Sequence, residues 1–121
     1  MVKTNKISRI KKRDGTIVDF TQEKITRAIY KAMCSQGMDD LMEAQHVSDI
    51  VVFMLEEKFG GYTIPSVEQI QDIVEMVLMK QGYHDVAKSY ILYREKHKAI
   101  REARETGLNL ERLIKDYIND Q

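Results

Sequence analysis

Lys11, Lys12 and Arg13 stand directly before an Asp14-Gly15 pair, and Lys24 follows at the start of a run with helical spacing. Cations at a tight turn beside a helix N-terminus, whose first N–H groups lack intrahelical partners, can hold phosphate. A second set lies toward the C-terminus, where Tyr93-Arg94 is followed by Lys96, Lys98, Arg101 and Arg104. There an aromatic ring stands beside cations suited to phosphate or to a stacked base. Each set also has a plainer reading. Lysines on an edge strand discourage strand pairing, and a helix that leaves the core for water turns basic in the same way.

Bond-making chemistry has no comparable signal. Paired carboxylates and Ser/His/Asp or Cys/His sets at catalytic spacing are absent, and His46, His84 and His97 stand alone. Neither GxxxxGK[ST] nor GxGxxG occurs, so phosphate binding would depend on side-chain cations and backbone N–H groups at the hairpin. The single Cys34 cannot form a disulfide within the chain and gives no zinc-ligand spacing with the histidines. It reads as a small, partly buried hydrophobe.

The elements that would position these residues follow from hydrophobic spacing. Asp14-Gly15 between Ile7–Ile10 and Ile17–Phe20 predicts a β-hairpin whose turn needs positive φ. Thr21 is placed to cap a first helix with its hydroxyl, and Ile25, Ala28, Ile29, Ala32 and Met33 give that helix a core-facing stripe ending at Gln36-Gly37. A second stripe, Val47, Ile50, Val51, Met54 and Leu55, stops at Gly60-Gly61. Pro65-Ser66 reads as a break and then a cap, opening a third helix on Ile70, Ile73, Val74, Val77 and Leu78 that ends near Gly82. A fourth stripe, Tyr83, Val86, Ala87, Tyr90 and Ile91, continues on the same face as Arg94, His97 and Lys98. After a break at Thr106-Gly107, the residues Leu110, Leu113, Ile114, Tyr117 and Ile118 predict a short C-terminal linker helix. The expected fold is α+β, mostly α: an N-terminal β-hairpin lid over a four-helix bundle, then the linker helix.

At 121 residues the chain suits one domain, or one domain with an appendage. No apolar run approaches the ~18–20 residues that cross a bilayer, so no membrane association and a cytoplasmic location are expected. Net charge is zero, which argues against a strongly basic nucleic-acid binder. Charge is unevenly spread, however: Lys3 to Asp19 holds six Lys or Arg against two acids, and Lys88 to Arg104 again six against two. If these ends meet, they form one local positive patch, better suited to a small polyphosphate than to a long duplex.

Several segments together resemble a known family. Ile10-Lys-Lys-Arg-Asp-Gly15, Phe20, Glu23-Lys24-Ile25 with Ala28-Ile29, Glu68-Gln-Ile-Gln-Asp-Ile-Val74, Val86-Ala87 and Tyr90-Ile-Leu-Tyr-Arg94 resemble, in order, the ATP-cone. That family is a regulatory nucleotide-binding domain of ribonucleotide reductases and of a repressor of their genes. The tail, Glu105 to Gln121, looks like the stretch leading into the catalytic part of anaerobic, glycyl-radical ribonucleoside-triphosphate reductases. The repressor is disfavoured because no Cys-rich zinc ribbon precedes the cone. The division expected is an N-terminal extension at 1–6, the cone at 7–100 and a linker at 101–121 toward a catalytic domain. On this resemblance the fragment is itself no enzyme.

The resemblance implies ATP and dATP as allosteric effectors, ATP activating and dATP inhibiting, with Mg²⁺ accompanying the triphosphates and a nucleotide-dependent homo-oligomer. It assigns Lys12 and Arg13 to the phosphates and the edge of the base, and Lys24 to the first helix's contact. Val18, Asp19, Phe20 and Thr21 would contribute contacts to adenine or ribose. Val18 stands where some cones carry an acid, so that contact is lost or passes to Asp19. Ser66 and Val67 belong to the loop before the third helix, and Gln71 resembles cones that hold two dATP molecules. Tyr93, Arg94, Lys96 and His97 complete the set. Two other classes stay open: a basic helical module that binds protein or nucleic acid, and a purely structural oligomerisation domain.

Overall fold

The computed structural model describes residues 6–106. The proposed linker helix and all but Lys6 of the N-terminal extension lie outside the described residues. The chain order is β1 (Arg9–Lys11), β2 (Ile17–Asp19), α1 (Gln22–Ser35), α2 (Leu41–Phe59), α3 (Val67–Lys80) and α4 (His84–Thr106). The expected α+β, mostly α architecture is what forms.

β1 and β2 pair antiparallel with Ile10 opposite Val18, and Phe20 N–H adds a rung to Ser8 O at 2.9 Å. The strands are shorter than the apolar segments implied. The turn uses all of residues 12–16: Lys12 N–H donates to Thr16 O at 2.8 Å, and Gly15 N–H to Lys12 O at 2.9 Å. Gly15 takes φ +90, the left-handed region the turn required. Asp14 closes it by accepting from Thr16 N–H at 2.9 Å, and the Thr16 hydrogen bonds hold its carboxyl below the usual range.

The helices pack in a ring, α1 on α2, α2 on α3, α3 on α4 and α4 on α1. Their stripes meet in one core that includes Ile29, Met33, Val47, Leu55, Val74, Leu78 and Ala87. A polar seam crosses it between α1 and α2, where Thr26 donates to the fully buried Ser48 at 2.8 Å. α1 and α3 end alike: Met38 N–H reaches back to Met33 O, and Tyr83 N–H to Leu78 O, each at 2.9 Å. Tyr83 also donates to Glu43 on α2, and that bond pushes its phenol up to about 12.

Three expectations change. Thr21 occupies the N-cap of α1, but its hydroxyl makes no capping bond. Lys24 N–H is satisfied instead by the Thr21 carbonyl at 3.2 Å. Ile91 is exposed, because past Tyr90 the inner face of α4 meets a groove rather than the core. Cys34 is exposed rather than partly buried, since the buried stripe of α1 passes through Ala32 and Met33 and the next residue turns outward. α4 itself runs unbroken through residues 100 and 101.

The hairpin is tied to the bundle at the start of α3. Ile7 is buried in the core, with Ile10 and Phe20 packed against it. Lys11 N–H donates to Pro65 O at 2.9 Å, and Lys11 forms a parallel bridge with Ser66. Ser66 in turn starts α3 through a reciprocal pair with Gln69: the Gln69 N–H donates to the Ser66 hydroxyl at 3.1 Å, and Ser66 N–H to the Gln69 side chain at 2.9 Å. One short segment therefore fixes both the lid's edge and the helix it faces.

Candidate functional site: the clefts between hairpin, α3 and α4

Because the turn is held rigid by Asp14 and Gly15, Arg13 leaves it toward α3. Its Nε lies 2.7 Å from Glu68 Oε1, and its terminal nitrogen donates to Gln71 Oε1 at 3.3 Å. Across the groove, Arg94 on α4 donates to Asp72 Oδ1 at 3.0 Å and to the Glu75 carboxylate, both on α3. Burial opposes the charge on Arg94, but the bonds to Glu75 and Asp72 outweigh it and hold the guanidinium cationic. Arg13, Gln71 and Arg94 thus line one open groove of about 490 Å³.

The two basic ends of the chain do meet here, but they do not make the expected positive patch. Arg13, Arg94, Lys98 and Arg101 are interleaved along the groove with Glu68, Glu75, Glu95, Glu102 and Glu105. Glu68, Asp72 and Glu75 of α3 were given no site role from the sequence. In the fold they are the counter-charges of the two arginines.

A second groove, about 610 Å³, runs between α1 and α4. Tyr93 and Lys96 line it, together with Lys31 of α1 and the edge of Tyr90. Ser35 and Ser89 hydrogen-bond across the two helices at 2.5 Å. His97 packs its ring on Tyr93 with centroids 4.2 Å apart. Burial, then Arg101, Lys96, Lys31 and Arg13, hold the imidazole below its usual pKa. The cations that lower it belong to the hairpin, α1 and α4. Lys31 was missed from the sequence, although its place seven residues after Lys24 puts both on one face of α1.

His97 and the remaining expected site residues line neither groove. Lys12 and Asp19 are exposed on the hairpin, Thr21 and Lys24 are exposed at the start of α1, and Val18 and Phe20 are half-buried. Ser66 and Val67 are half-buried at the start of α3. Among the described residues no three His, Cys, Asp or Glu side chains converge as a metal site. No described helix is long and apolar enough to cross a membrane.

The pattern of one protein family, described as the ATP cone domain, matches residues 8–99. Among curated proteins, a vitamin B12-dependent ribonucleoside-diphosphate reductase of Thermoplasma acidophilum is 51% identical over 104 residues, covering 82% of this chain and 13% of the relative. A ribonucleoside-diphosphate reductase subunit alpha of Chlamydia pneumoniae is 38% identical, over 76% of this chain and 9% of its own length. An anaerobic ribonucleoside-triphosphate reductase of Escherichia coli is 34% identical, over 78% and 13%. The chain therefore spans only about an eighth of the length of the first of these relatives.

Proposed function

The chain belongs to the ATP cone domain family, and from that premise we propose that it senses adenine nucleotides and controls the overall activity of a ribonucleotide reductase. ATP permits activity and dATP inhibits it. The observation that carries this reading is that Arg13 of the hairpin and Arg94 of α4 reach one groove alongside Gln71, within the residues that match the family. Both arginines are paired to α3 carboxylates, so a triphosphate would replace those carboxylates as the arginines' partner. Lys12, Lys24, Lys96 and His97 supply further donors, and Val18 to Thr21, Ser66, Val67 and Tyr93 surround the base and sugar. Mg²⁺ arrives with the triphosphate oxygens rather than on a protein cage.

ATP and dATP differ by one hydroxyl, so the switch must convert a small contact difference into a different packing of hairpin on helices or of one cone on another. A coupling of about 1–3 kcal/mol suffices for such regulation. The partners are the catalytic domain of the parent and, with effector bound, other copies of the cone. The expected anaerobic parent rests on Glu105 to Gln121, mostly outside the described residues. The 51% identity to the Thermoplasma protein favours a B12-dependent parent as a second reading. Dependence of the full-length parent on vitamin B12 separates the two.

The test is calorimetric titration of the chain with ATP, dATP and GTP in Mg²⁺ buffer. Binding of the adenine nucleotides without GTP is expected. Equal binding of GTP, or of any oligonucleotide, would return the chain to the interaction-module class. In the parent enzyme, deletion of the cone is expected to abolish inhibition by dATP, and inhibition that persists at full strength would overturn the regulatory role.

A further inference from the structure

α4 has a second shielded face that the bundle does not explain. Ala103 is 1% exposed, yet it is no part of the core that holds Ala87 and Tyr90. From Tyr90 to Ala103 the helix turns the side chain about 140° away from the core-facing side. Ala99 and Ile100 share the side of Ala103 at i−4 and i−3 and are half-buried, while Glu102, Arg104, Glu105 and Thr106 around it are exposed. The helices beside α4 stop too early to cover it. Ser35 of α1 meets Ser89, and Asp72 and Glu75 of α3 meet Arg94, so α1 and α3 both run antiparallel to α4. On that register Gln22, where α1 begins, and Val67, where α3 begins, reach no further than about residue 102.

We infer that this face is the dock for the chain's own residues 108–118, which turn back after Thr106-Gly107 and lie antiparallel along Ala99, Ile100 and Ala103. They lie outside the described residues, and their sequence carries the argument. Leu110, Leu113, Ile114, Tyr117 and Ile118 repeat at helical spacing, and a stripe of that kind needs an apolar partner. The lengths match: from Lys96, on the same side as Ala99, to Ala103 α4 advances about 11 Å, and a helical stripe from Leu110 to Ile118 advances about 12 Å. Gly107 to Asn109 is connection enough to reverse an αα-hairpin. The small side chains of Ala99 and Ala103 suit large facing ones, since layers interdigitate best when large meets small. Docking there ties the outgoing chain to the helix that supplies Arg94, one wall of the groove it shares with Arg13, rather than to the hairpin or α2.

The experiment uses the full chain carrying Cys34→Ser, because Cys34 is exposed and would react alongside any introduced thiol. Ala103→Cys should react with a maleimide far more slowly than Glu102→Cys, and adding Leu113→Asp with Ile114→Asp should abolish that protection. The pair Ile100→Cys and Leu113→Cys should be joined within one chain by a short bismaleimide. Lys98→Cys with Leu113→Cys should not, because Lys98 lines the groove side of α4. Equal reactivity of Ala103→Cys and Glu102→Cys would overturn the covered face. Protection that survives the Asp substitutions would overturn the occupant and assign the cover to another part of the chain. Links between chains, with protection lost on dilution, would overturn it in favour of a second copy. Should the Asp substitutions unfold the bundle, the linked pairs decide alone: joining of both, or of neither, overturns the dock.

Discussion

Arg13, at the tip of the hairpin, is bound to Glu68 on the first turn of α3 with Nε 2.7 Å from Oε1. Fifty-five positions of chain separate the two, and their pairing closes the lid on the helix that Ser66 has just started. The side chains remain 36% and 47% exposed, so the pair contributes less than about 1 kcal/mol to stability. Its larger consequence is for binding, because a phosphate must compete with this carboxylate for Arg13. Glu68→Gln should therefore leave the unfolding free energy within about 0.5 kcal/mol of wild type. The same variant should tighten ATP binding by about two- to fivefold, read by calorimetry. Weaker binding would mean that Glu68 organises Arg13 for the ligand rather than opposing it.

Arg94 is more enclosed, 21% exposed, and is held by two carboxylates of α3. Arg94→Ala removes a cation from the groove and leaves Glu75 facing it unneutralised. Both effects repel a triphosphate, so ATP affinity should fall by at least about tenfold. Glu75→Gln should do the opposite. If the two substitutions shift affinity in the same direction, the carboxylate acts by positioning the arginine and not by charge competition.

His97 gives the site a pH response whose sign follows from its surroundings. Burial, with Arg101, Lys96, Lys31 and Arg13, disfavours the imidazolium in the folded state, while the unfolded chain protonates near the ordinary 6.5. The unfolded state then binds more protons in the intervening window, so stability rises with pH there. On this account the fold is at full stability above about 6.5 and loses stability as the pH falls from there through the folded-state value. Thermal midpoints from pH 8 to 5.5 should fall less steeply for His97→Gln than for wild type. A bound triphosphate reverses the local field, so ATP affinity should gain on acidification by an increment that His97→Gln lacks.

How much of this was readable beforehand depended on whether the relevant forces act locally. The stripes of α1, α2 and α3 were legible because burial on one helix face imposes its period on neighbouring residues. Ile25, Ile29 and Met33 illustrate this, as do Ile70, Ile73 and Val77. Arg13 and Arg94 were legible as cations that could hold phosphate, but their neutralisation by Glu68, Asp72 and Glu75 was not. Those pairings arise only when the hairpin and α4 are folded onto α3.

The two helix starts flanking the site make a matched stability test. Both Thr21 and Ser66 stand at N-caps with extended backbone, and both residue types suit that position. Their side chains differ in what they do. Ser66 accepts from Gln69 N–H and receives the Gln69 side chain on its own N–H, whereas the Thr21 hydroxyl caps nothing. Ser66→Ala should therefore cost about 1 kcal/mol, since it strips one helix-start donor of its partner and loosens the segment that Lys11 bridges. Thr21→Ala should cost at most about 0.5 kcal/mol, because the Thr21 carbonyl that Lys24 N–H uses survives the change. Urea unfolding of the two variants reads the difference directly. Equal losses would mean that the Thr21 hydroxyl forms its capping bond in solution, and that the first turn of α1 is organised as the sequence alone implied.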